Sequence, residues 1–267
     1  MSRVEGTFAR LRAERRTALV AFLTAGYPSV EDTLRLVPAL IQGGADIVEL
    51  GVPFSDPLAE GPTIQRSSHH ALLQGVTPAV CLDIVGKLRA QGVEAPLILM
   101  GYYNPLLAYG LEPFCRDAAG AGADGIISVD LPPEESHPLR DACRASGLDL
   151  IYLLAPTSTD ERIERVAELA SGFVYCVSVT GVTGAREELP AELSSFVDRV
   201  RARTHLPIAV GFGISKRKHF RAVGRIAEAA VIGSAIIDEI DRSDPSDTAG
   251  KVKRYAEVVT GRRRATV

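Results

Sequence analysis

The sequence predicts an α/β fold, a single (β/α)8 TIM barrel with an extra N-terminal helix that covers the bottom of the barrel. Three features lead to this prediction. Short apolar runs rich in β-branched residues recur eight times without alternating apolar and polar residues, which is typical of parallel strands covered on both faces. Helix-period segments separate the runs. No linker or low-complexity segment divides the 267 residues, a length at which α/β barrels form one domain.

The first predicted element is a short amphipathic helix, because Val4, Phe8 and Leu11 fall on one helical face. Eight predicted strands follow it in chain order. They span residues 18–26, 46–51, 96–102, 124–130, 148–156, 172–179, 206–213 and 228–235. All elements belong to one domain, residues 1–267, in which we expect a flexible tail from about residue 260 to 267.

Segments between the strands show the marks of helices. Ser29 and Thr159 are residue types that begin helices, and Gly43-Gly44, Gly122 and Gly147 follow helical runs, where a left-handed cap is expected. Three apolar stripes at helical spacing are Val30, Leu34, Val37 and Ile41; Ile163, Val166, Ala167 and Ala170; and Leu193, Phe196, Val197 and Val200.

The alternative fold is a doubly wound open sheet, but its cofactor fingerprint GxGxxG does not follow the first strand. In a barrel, active sites gather at the carboxyl ends of the strands. The strand-to-helix junctions of this chain carry the unusual polar and glycine residues, whereas the helix-to-strand turns are plain. These junctions are "LTAGYP", "ELGVPFSDPLAEGP", "MGYYNP", "VDLPPEE", "SVTGVTGA", "GFGIS" and "IGSA". Any catalytic function is therefore expected on that rim.

Composition limits the classes of function. The chain is 46% hydrophobic and 24% charged with a net charge of −3, which is ordinary for a globular protein and gives no sign of nucleic-acid binding. The basic ending "GRRRATV" is interpreted as a solvated tail. The four cysteines lack metal-ligand spacing and are interpreted as small core residues in a reducing compartment. No apolar run approaches the roughly 18 residues that cross a membrane, so we expect a cytoplasmic protein.

A phosphate site is predicted at the last three strand ends. The segments "GVTGA" (181–185), "GFGIS" (211–215) and "IGSA" (232–235) are rich in glycine, which lets backbone N–H groups approach an anion closely. The loops after strands seven and eight are the common phosphate site of barrels. Candidate donors are the backbone of Gly184, Gly213, Gly233 and Ser234. The alternative is plain turn chemistry. Residues 216–218 are candidates for long-range attraction of the anion, but a solvated first helical turn is the favoured interpretation.

A carboxylate stands inside the second predicted strand. The alternation of strand side chains puts Glu49 on the face opposite Val48 and Leu50, so Glu49 points into the barrel if those two pack against helices. Burial raises the pKa of a carboxyl group, which suits a group that donates and accepts a proton. The alternative is a structural carboxylate paired with a hydroxyl or a cation.

Other polar residues lie near the same rim. Glu60, in a loop braced by prolines, is close enough in sequence to return to the cavity of Glu49, although an exposed position is the alternative. Tyr102, Asp130 and Tyr175 are predicted at or near strand ends as a shared polar lining. The sequence shows no metal-ligand cluster, so the expected chemistry is that of carboxylates and tyrosines without a metal.

Three stretches resemble the signature segments of the tryptophan synthase alpha chain family. They are "ELGVPFSDPLAEGPTIQ" (49–65), "SVTGVTGA" (178–185) and "GFGIS" followed by "IGSA". The resemblance runs from about residue 5 to residue 240, in matching order, and "LTAGYP", "YYNPLL" and "DLPPEES" add to it. It implies a lyase of tryptophan biosynthesis that cleaves indole-3-glycerol phosphate to indole and glyceraldehyde 3-phosphate.

The resemblance also implies a role for each candidate residue. The catalytic acid falls on Glu49. The second acid falls on Glu60, where the family normally has aspartate, and a displacement of about 1 Å at such a site costs on the order of a hundredfold in rate. A mobile closing loop falls near residues 180–187. The implied substrate-binding residues are Phe22, Tyr102, Tyr175, Thr183, Gly184, Phe212, Gly213, Gly233 and Ser234.

A partner follows from the same resemblance. It implies an α2β2 heterotetramer with the beta chain, which carries pyridoxal phosphate, and no cofactor on this chain. The docking face would include the loop from Pro53 to Glu60 and the rim around Asn104 and Pro105. Two alternatives stay open: a weakly catalytic subunit that activates the beta chain, and a free-standing lyase.

Overall fold

The computed structural model describes residues 1–177, 191–211 and 213–263. Its eight parallel strands close into one barrel in chain order, and β8 pairs back onto β1, so the predicted fold is confirmed. Every strand lies within its predicted run. The strands are β1 Ala18–Thr24, β2 Ile47–Gly51, β3 Leu97–Gly101, β4 Gly125–Ser128, β5 Asp149–Leu154, β6 Val174–Val177, β7 Ile208–Gly211 and β8 Ala229–Ile232.

Helices surround the barrel and begin and end where local chemistry allows. The hydroxyls of Ser29 and Thr159 accept hydrogen bonds from the first helical turns that follow them, and Gly44, Gly122 and Gly147 end helices with positive φ, as predicted. The helices are α1 Arg3–Ala13, α2 Val30–Gly43, α3 Pro62–Leu73, α4 Pro78–Ala90, α5 Tyr103–Tyr109, α6 Leu111–Ala121, α7 His137–Ser146, α8 Asp160–Leu169, α9 Ala191–Arg201, α10 Arg217–Val223, α11 Ser234–Asp241 and α12 Thr248–Thr260.

Two apolar cores follow from the alternation of strand side chains. The larger core lies between the strands and the surrounding helices. The smaller core fills the barrel, and α1 contributes Val4, Phe8 and Leu11 to it. The rings of Phe8 and Phe173 lie 5.8 Å apart, beside the start of β6. The predicted cap of α1 on the bottom of the barrel is therefore confirmed.

The apolar stripe of α2 is centred differently from the prediction. Val37 is fully buried, but Val30, Leu34 and Ile41 are only partly buried. The physical reason is that α2 also packs against α12. A Cβ on Gly43 would lie 2.8 Å from the Cβ of Ala256, so α2 and α12 are in close contact. The buried face of α2 is therefore shared between the barrel and α12.

The bottom of the barrel contains a repeated hydrogen bond. An acidic or hydroxyl side chain lies just before each even-numbered strand. It accepts a hydrogen bond from a backbone N–H near the start of the preceding odd-numbered strand. The bond joins the two neighbouring strands at their first residues. The four bonds are Asp46 to Leu19 at 3.1 Å, Asp124 to Leu97 at 2.8 Å, Ser171 to Leu150 at 3.0 Å and Glu228 to Ile208 at 2.9 Å.

The structure shows the state of the cysteines and the apolar length of the helices. All four cysteines are reduced and buried, and the Sγ atoms of Cys115 and Cys143 lie 3.7 Å apart, a proximity that their spacing in the chain did not reveal. Within the described ranges no single helix is long and apolar enough to cross a membrane. Helices α3 and α4 have the length and apolar composition of a membrane-crossing segment only when they are counted together, and they are bent by 95° relative to each other.

Candidate active site

Glu49 points into the barrel. It lies on β2, opposite Phe22 of β1 and Ile98 of β3. Its neighbour Ile47 belongs to the core inside the barrel, whereas Val48 and Leu50 belong to the outer core, so the alternation places Glu49 inside. The side chain is fully buried, and neither carboxyl oxygen has a hydrogen-bond partner among the described residues.

The surroundings of Glu49 favour its neutral form. Burial, followed by the negative charge of Glu60, raises the pKa of Glu49 from 4.5 to about 8. A group with this pKa is mostly protonated at neutral pH. Because its pKa is close to neutral pH, both the loss and the gain of a proton cost little free energy. The structural alternative, a carboxylate paired with a hydroxyl or a cation, finds no support among the described contacts.

The loop that carries Glu60 is held close to the barrel by backbone contacts. The Ala59 N–H donates to the Tyr102 hydroxyl at 2.8 Å, and the Gln65 side chain donates to the Glu60 carbonyl at 2.9 Å. Burial raises the pKa of Glu60 from 4.5 to about 7. Its charge acts on both Glu49 and Tyr175, so Glu60 is turned to the cavity rather than to solvent.

A largely apolar cleft opens beside these acids. Its empty space is about 310 Å³ when the open solvent at its mouth is included. Aromatic and aliphatic side chains form most of its wall, and Glu60 is its carboxyl group. The lining residues are Phe22, Thr24, Gly51, Val52, Phe54, Pro57, Glu60, Ile64, Ser68, Met100, Gly101 and Tyr102. The largely apolar wall suits an aromatic ligand.

Glycine at position 51 leaves room for the aromatic side of the cleft. A Cβ on Gly51 would lie 2.6 Å from Cζ of Phe22, closer than real atoms approach. Phe22 also packs beside Gly233, where a Cβ would lie 3.3 Å from the Cβ of Phe22. Phe22 thus connects the cleft with the strand end of β8, where part of the phosphate site is predicted.

The three rim residues predicted as a polar lining take different positions. Tyr102 lines the cleft, its ring centre lies 5.0 Å from that of Phe54, and burial raises its pKa to about 12. Tyr175 lies inside the barrel, where burial and the charges of Glu49 and Glu60 raise its pKa. Asp130 is exposed and does not line the cleft. It accepts from the Tyr103 N–H at 2.8 Å at the start of α5, so its placement in the lining is wrong.

The described part of the predicted phosphate site lies at the ends of β7 and β8. Gly213 is exposed with φ +64°, and among the described residues other than its chain neighbours no heavy atom lies within 4 Å of the position of a Cβ. Gly233 precedes α11 and Ser234 is its first residue, so their N–H groups stand at a helix N-terminus. Thr183, Gly184, Phe212 and the closing loop near 180–187 lie outside the described residues. Residues 216–218 are exposed at the start of α10.

Sequence reasoning missed the hydroxyl contacts beneath the acid loop. Ser68 of α3 exchanges hydrogen bonds with the backbone of Phe54, at 3.0 Å from the N–H and 3.3 Å to the carbonyl. The next residue back, Ser67, lies 2.6 Å from the Thr24 hydroxyl at the end of β1. The available signal was a pair of small polar residues on a helix face that would otherwise be apolar. The described residues contain no group of His, Cys, Asp and Glu that would hold a metal.

The family model described as tryptophan synthase alpha chain matches residues 8–266. The chain belongs to the tryptophan synthase alpha chain family. A tryptophan synthase alpha chain from Roseiflexus sp. (strain RS-1) is 54% identical, over 98% of this chain and 100% of that protein.

Solved structures of the family agree in fold. The alpha subunit from Legionella pneumophila superposes with a TM-score of 0.89 at 37% identity, covering 98% of this chain and 100% of that one. A tryptophan synthase structure from Mycobacterium tuberculosis contains a chain with TM-score 0.89 and 35% identity, covering 99% of each. The resemblance seen in the sequence is therefore confirmed over the full barrel.

Proposed function

We propose that Glu49 and Glu60 perform, in this chain, the lyase reaction of the family: retro-aldol cleavage of indole-3-glycerol phosphate to indole and glyceraldehyde 3-phosphate. The observation that carries the proposal is the fully buried Glu49 carboxyl, without a hydrogen-bond partner among the described residues and with a raised pKa, next to a second acid at the mouth of the barrel. An unpaired buried acid is unfavourable for stability, and such groups gather at functional sites.

Glu49 serves two proton transfers. The bond from indole C3 to the side chain breaks only after C3 accepts a proton, which the neutral Glu49 carboxyl donates. The electron pair of that bond then neutralises the indolenine. The hydroxyl on the adjacent carbon gives its proton to the Glu49 carboxylate as the aldehyde forms. The proton count balances, and Glu49 returns to its starting form.

Glu60 stabilises positive charge on the substrate and transfers no proton. Protonation of C3 puts positive charge on the ring nitrogen, and a carboxylate beside that nitrogen stabilises it in the transition state. The ionised form is needed, and a pKa of about 7 keeps a large fraction of Glu60 ionised at neutral pH. Glutamate is one methylene longer than the family's usual aspartate. The hydrogen bonds from the Ala59 N–H to Tyr102 and from Gln65 to the Glu60 carbonyl fix the backbone that carries the Glu60 side chain.

The phosphate aligns the substrate. Backbone N–H groups at Gly213, Gly233 and Ser234 would bind it at the β7 and β8 strand ends, while Phe22 and Tyr102 contact the indole ring. Binding energy at the phosphate thereby holds C3 against Glu49. Tyr175 lies inside the barrel near both acids and beside β7, where a Cβ on Gly211 would be 2.2 Å from its hydroxyl oxygen.

A beta chain is proposed as the partner, with pyridoxal phosphate on that chain, in the cytoplasm. Two large apolar side chains support docking at the predicted face: Leu58 of the acid loop is 90% exposed and Leu107 of α5 is 52% exposed. Docking there would restrict the loop that carries Glu60. The alternatives remain an activator with weak turnover of its own and a free-standing lyase.

The test is indole release by the purified chain, with and without a beta chain. Wild-type turnover rises in the complex if the proposal holds, and Glu49→Gln lowers kcat by about a thousandfold or more, because one group supplies both proton transfers. Binding of glycerol 3-phosphate to that variant stays within twofold of wild type.

Asp130→Asn is the matched control, since Asp130 is an acid on the same rim outside the cleft, and its activity is expected to stay near that of wild type. Undiminished turnover of Glu49→Gln would eliminate the mechanism. Fast release without a beta chain, unchanged on its addition, would favour the free-standing lyase, and stimulation of the beta chain without cleavage would favour the activator.

A further inference from the structure

We propose that Tyr255 is a positioning residue for phosphate binding: from α12, its hydroxyl holds the loop after β7 in the conformation that presents Gly213 to the anion. The inference deepens the proposed function and rests on its phosphate site. Tyr255 itself does not touch the substrate in this proposal. It acts through Ser215, two residues after Gly213.

Ser215 is held at both backbone polar groups. The Tyr255 hydroxyl donates to the Ser215 carbonyl at 2.9 Å, across 40 residues of sequence. The Ser215 N–H donates to Nδ1 of His219 at 3.4 Å, and His219 is buried on the inner face of α10. Ile214, between Gly213 and Ser215, is buried in the outer core. The loop is therefore fixed immediately behind an exposed glycine that has no side chain of its own to fix it.

Tyr255 lies on a helix that packs against both parts of the predicted phosphate site, α10 after β7 and α11 after β8. Burial raises its pKa well above the usual value, and the carboxylates of Glu239 and Asp238 raise it further, so the hydroxyl remains a donor at every working pH. Those two acids belong to α11, whose N-terminus presents Gly233 and Ser234. One tyrosine thus binds the loop that follows β7 from a helix, α12, that also packs against the helix that follows β8.

A second contact joins α12 to the same region. The guanidinium of Arg217, the first residue of α10, lies against the end of α12, where a Cβ on Gly261 would be 2.5 Å from Cζ of Arg217. Helix α12 therefore supports α10 at one point and the loop before α10 at another. This arrangement makes α12 the outer support of the phosphate end.

Loss of the hydrogen bond from Tyr255 to Ser215 should lower the affinity for phosphate and leave the affinity for the indole ring unchanged. Donors at this site are backbone N–H groups, and their directions depend on the loop backbone. The lining of the indole cleft comes from residues 22 to 102, and none of its residues belongs to β7, α10 or α12. A loop that has lost its support weakens phosphate binding without changing the ring pocket.

Tyr255→Phe removes the hydroxyl and keeps the ring, and the probes are glycerol 3-phosphate, inorganic phosphate and indole, each titrated against the full chain by calorimetry. We expect about a fivefold loss of affinity for both phosphate probes, the typical effect of one hydrogen bond, and unchanged affinity for indole. In turnover, KM for indole-3-glycerol phosphate rises by a similar factor while kcat stays within twofold. Thermal melting checks that the variant is folded.

Tyr109→Phe is the matched control, because the Tyr109 hydroxyl also makes one bond of 2.9 Å, to Asp117, but far from β7 in the chain and outside the cleft. Its phosphate and indole affinities should equal those of wild type. The proposal is overturned if Tyr255→Phe binds phosphate as wild type does, or if it loses phosphate and indole equally. A wild-type chain that releases indole while Tyr255→Phe is unaffected rejects only the role of Tyr255. A wild-type chain that binds neither phosphate probe rejects the phosphate site and this role together.

Discussion

At the scale of single residues, the proposed chemistry depends on two carboxyl groups with raised pKa values in one cavity. In the proposed mechanism Glu49, with a pKa of about 8, works when protonated, and Glu60, with a pKa of about 7, works when ionised. The two requirements overlap in a narrow pH range. Because the charges interact, the observed values belong to the pair.

The pH dependence of kcat/KM for the wild-type chain should therefore be bell-shaped. Activity falls below about pH 7 as Glu60 gains a proton and above about pH 8 as Glu49 loses one. In Glu60→Gln the negative charge that raises the pKa of Glu49 is gone, so the alkaline limb moves to lower pH and the acid limb disappears. Rates measured from pH 5.5 to 9.5 check both shifts; an alkaline limb that moves upward would contradict the assignment.

Most of the rim positions could be predicted because strand alternation and strand ends are local properties. Glu49 follows from the alternation within "DIVELG". Glu60 was assigned to the site through the family resemblance, because an acid in such a loop, taken alone, is expected to be exposed. Asp130 was misplaced because a residue just after a strand can turn outward to bind a helix start, and nothing in the local pattern separates the two directions. The substrate-contact roles inferred from the resemblance stay predictions.

At the scale of helices and strands, continuous apolar runs located all eight strands because both faces of each strand are buried. The strand ends were less well defined, since turn residues beside a strand are often apolar as well. The α2 stripe and the approach of Cys115 to Cys143 escaped prediction because both depend on which helix packs beside which. Sequence periodicity gives the buried face toward the barrel and does not give the lateral neighbour.

The acids before the even-numbered strands are elements of stability rather than of catalysis. Asp124 is buried, accepts from the Leu97 N–H at 2.8 Å and pairs with Arg89 at 2.5 Å and Arg3 at 3.0 Å. Asp124→Asn removes the charge that these guanidinium groups bind, and we expect a loss of about 2 to 3 kcal/mol in the free energy of unfolding. Urea unfolding followed by circular dichroism measures it.

The matched control is Asp83→Asn, because Asp83 pairs with Lys87 on the exposed surface of α4, where such pairs contribute less than about 0.5 kcal/mol. Equal losses in the two variants would mean that the strand-start bond has no special role. Activity measured well below the melting temperature should remain in both.

At the scale of the whole molecule, the bottom of the barrel serves stability and the top holds the candidate site. The bottom is closed by α1 and tied by ion pairs from Arg3, Arg10 and Arg16 to buried acids. The top holds the cleft, both catalytic candidates and the predicted phosphate site. Substitutions at the bottom should therefore change stability and leave turnover intact.

Phe8→Ala tests this division. Phe8 is 4% exposed and packs on Phe173, so its removal leaves a cavity and should lower the free energy of unfolding by about 3 to 5 kcal/mol. The kcat for indole release at a temperature where the variant is folded should stay within twofold of wild type. Arg12→Ala, an exposed position on the same helix, is the control, with an expected change within about 0.5 kcal/mol. A tenfold fall in kcat for Phe8→Ala would show that the bottom of the barrel acts on the site.

The pairing of β8 with β1, together with the contact of α12 with α2, has a consequence for the chain while it is being made. Strand β1 therefore keeps one open edge until β8 has been synthesised. On a polysome, neighbouring nascent chains bring such edges close together, and unpaired parallel strands are sites of intermolecular association. Chaperone binding during translation is therefore expected to concentrate on the first βα unit and to end when the last helix emerges.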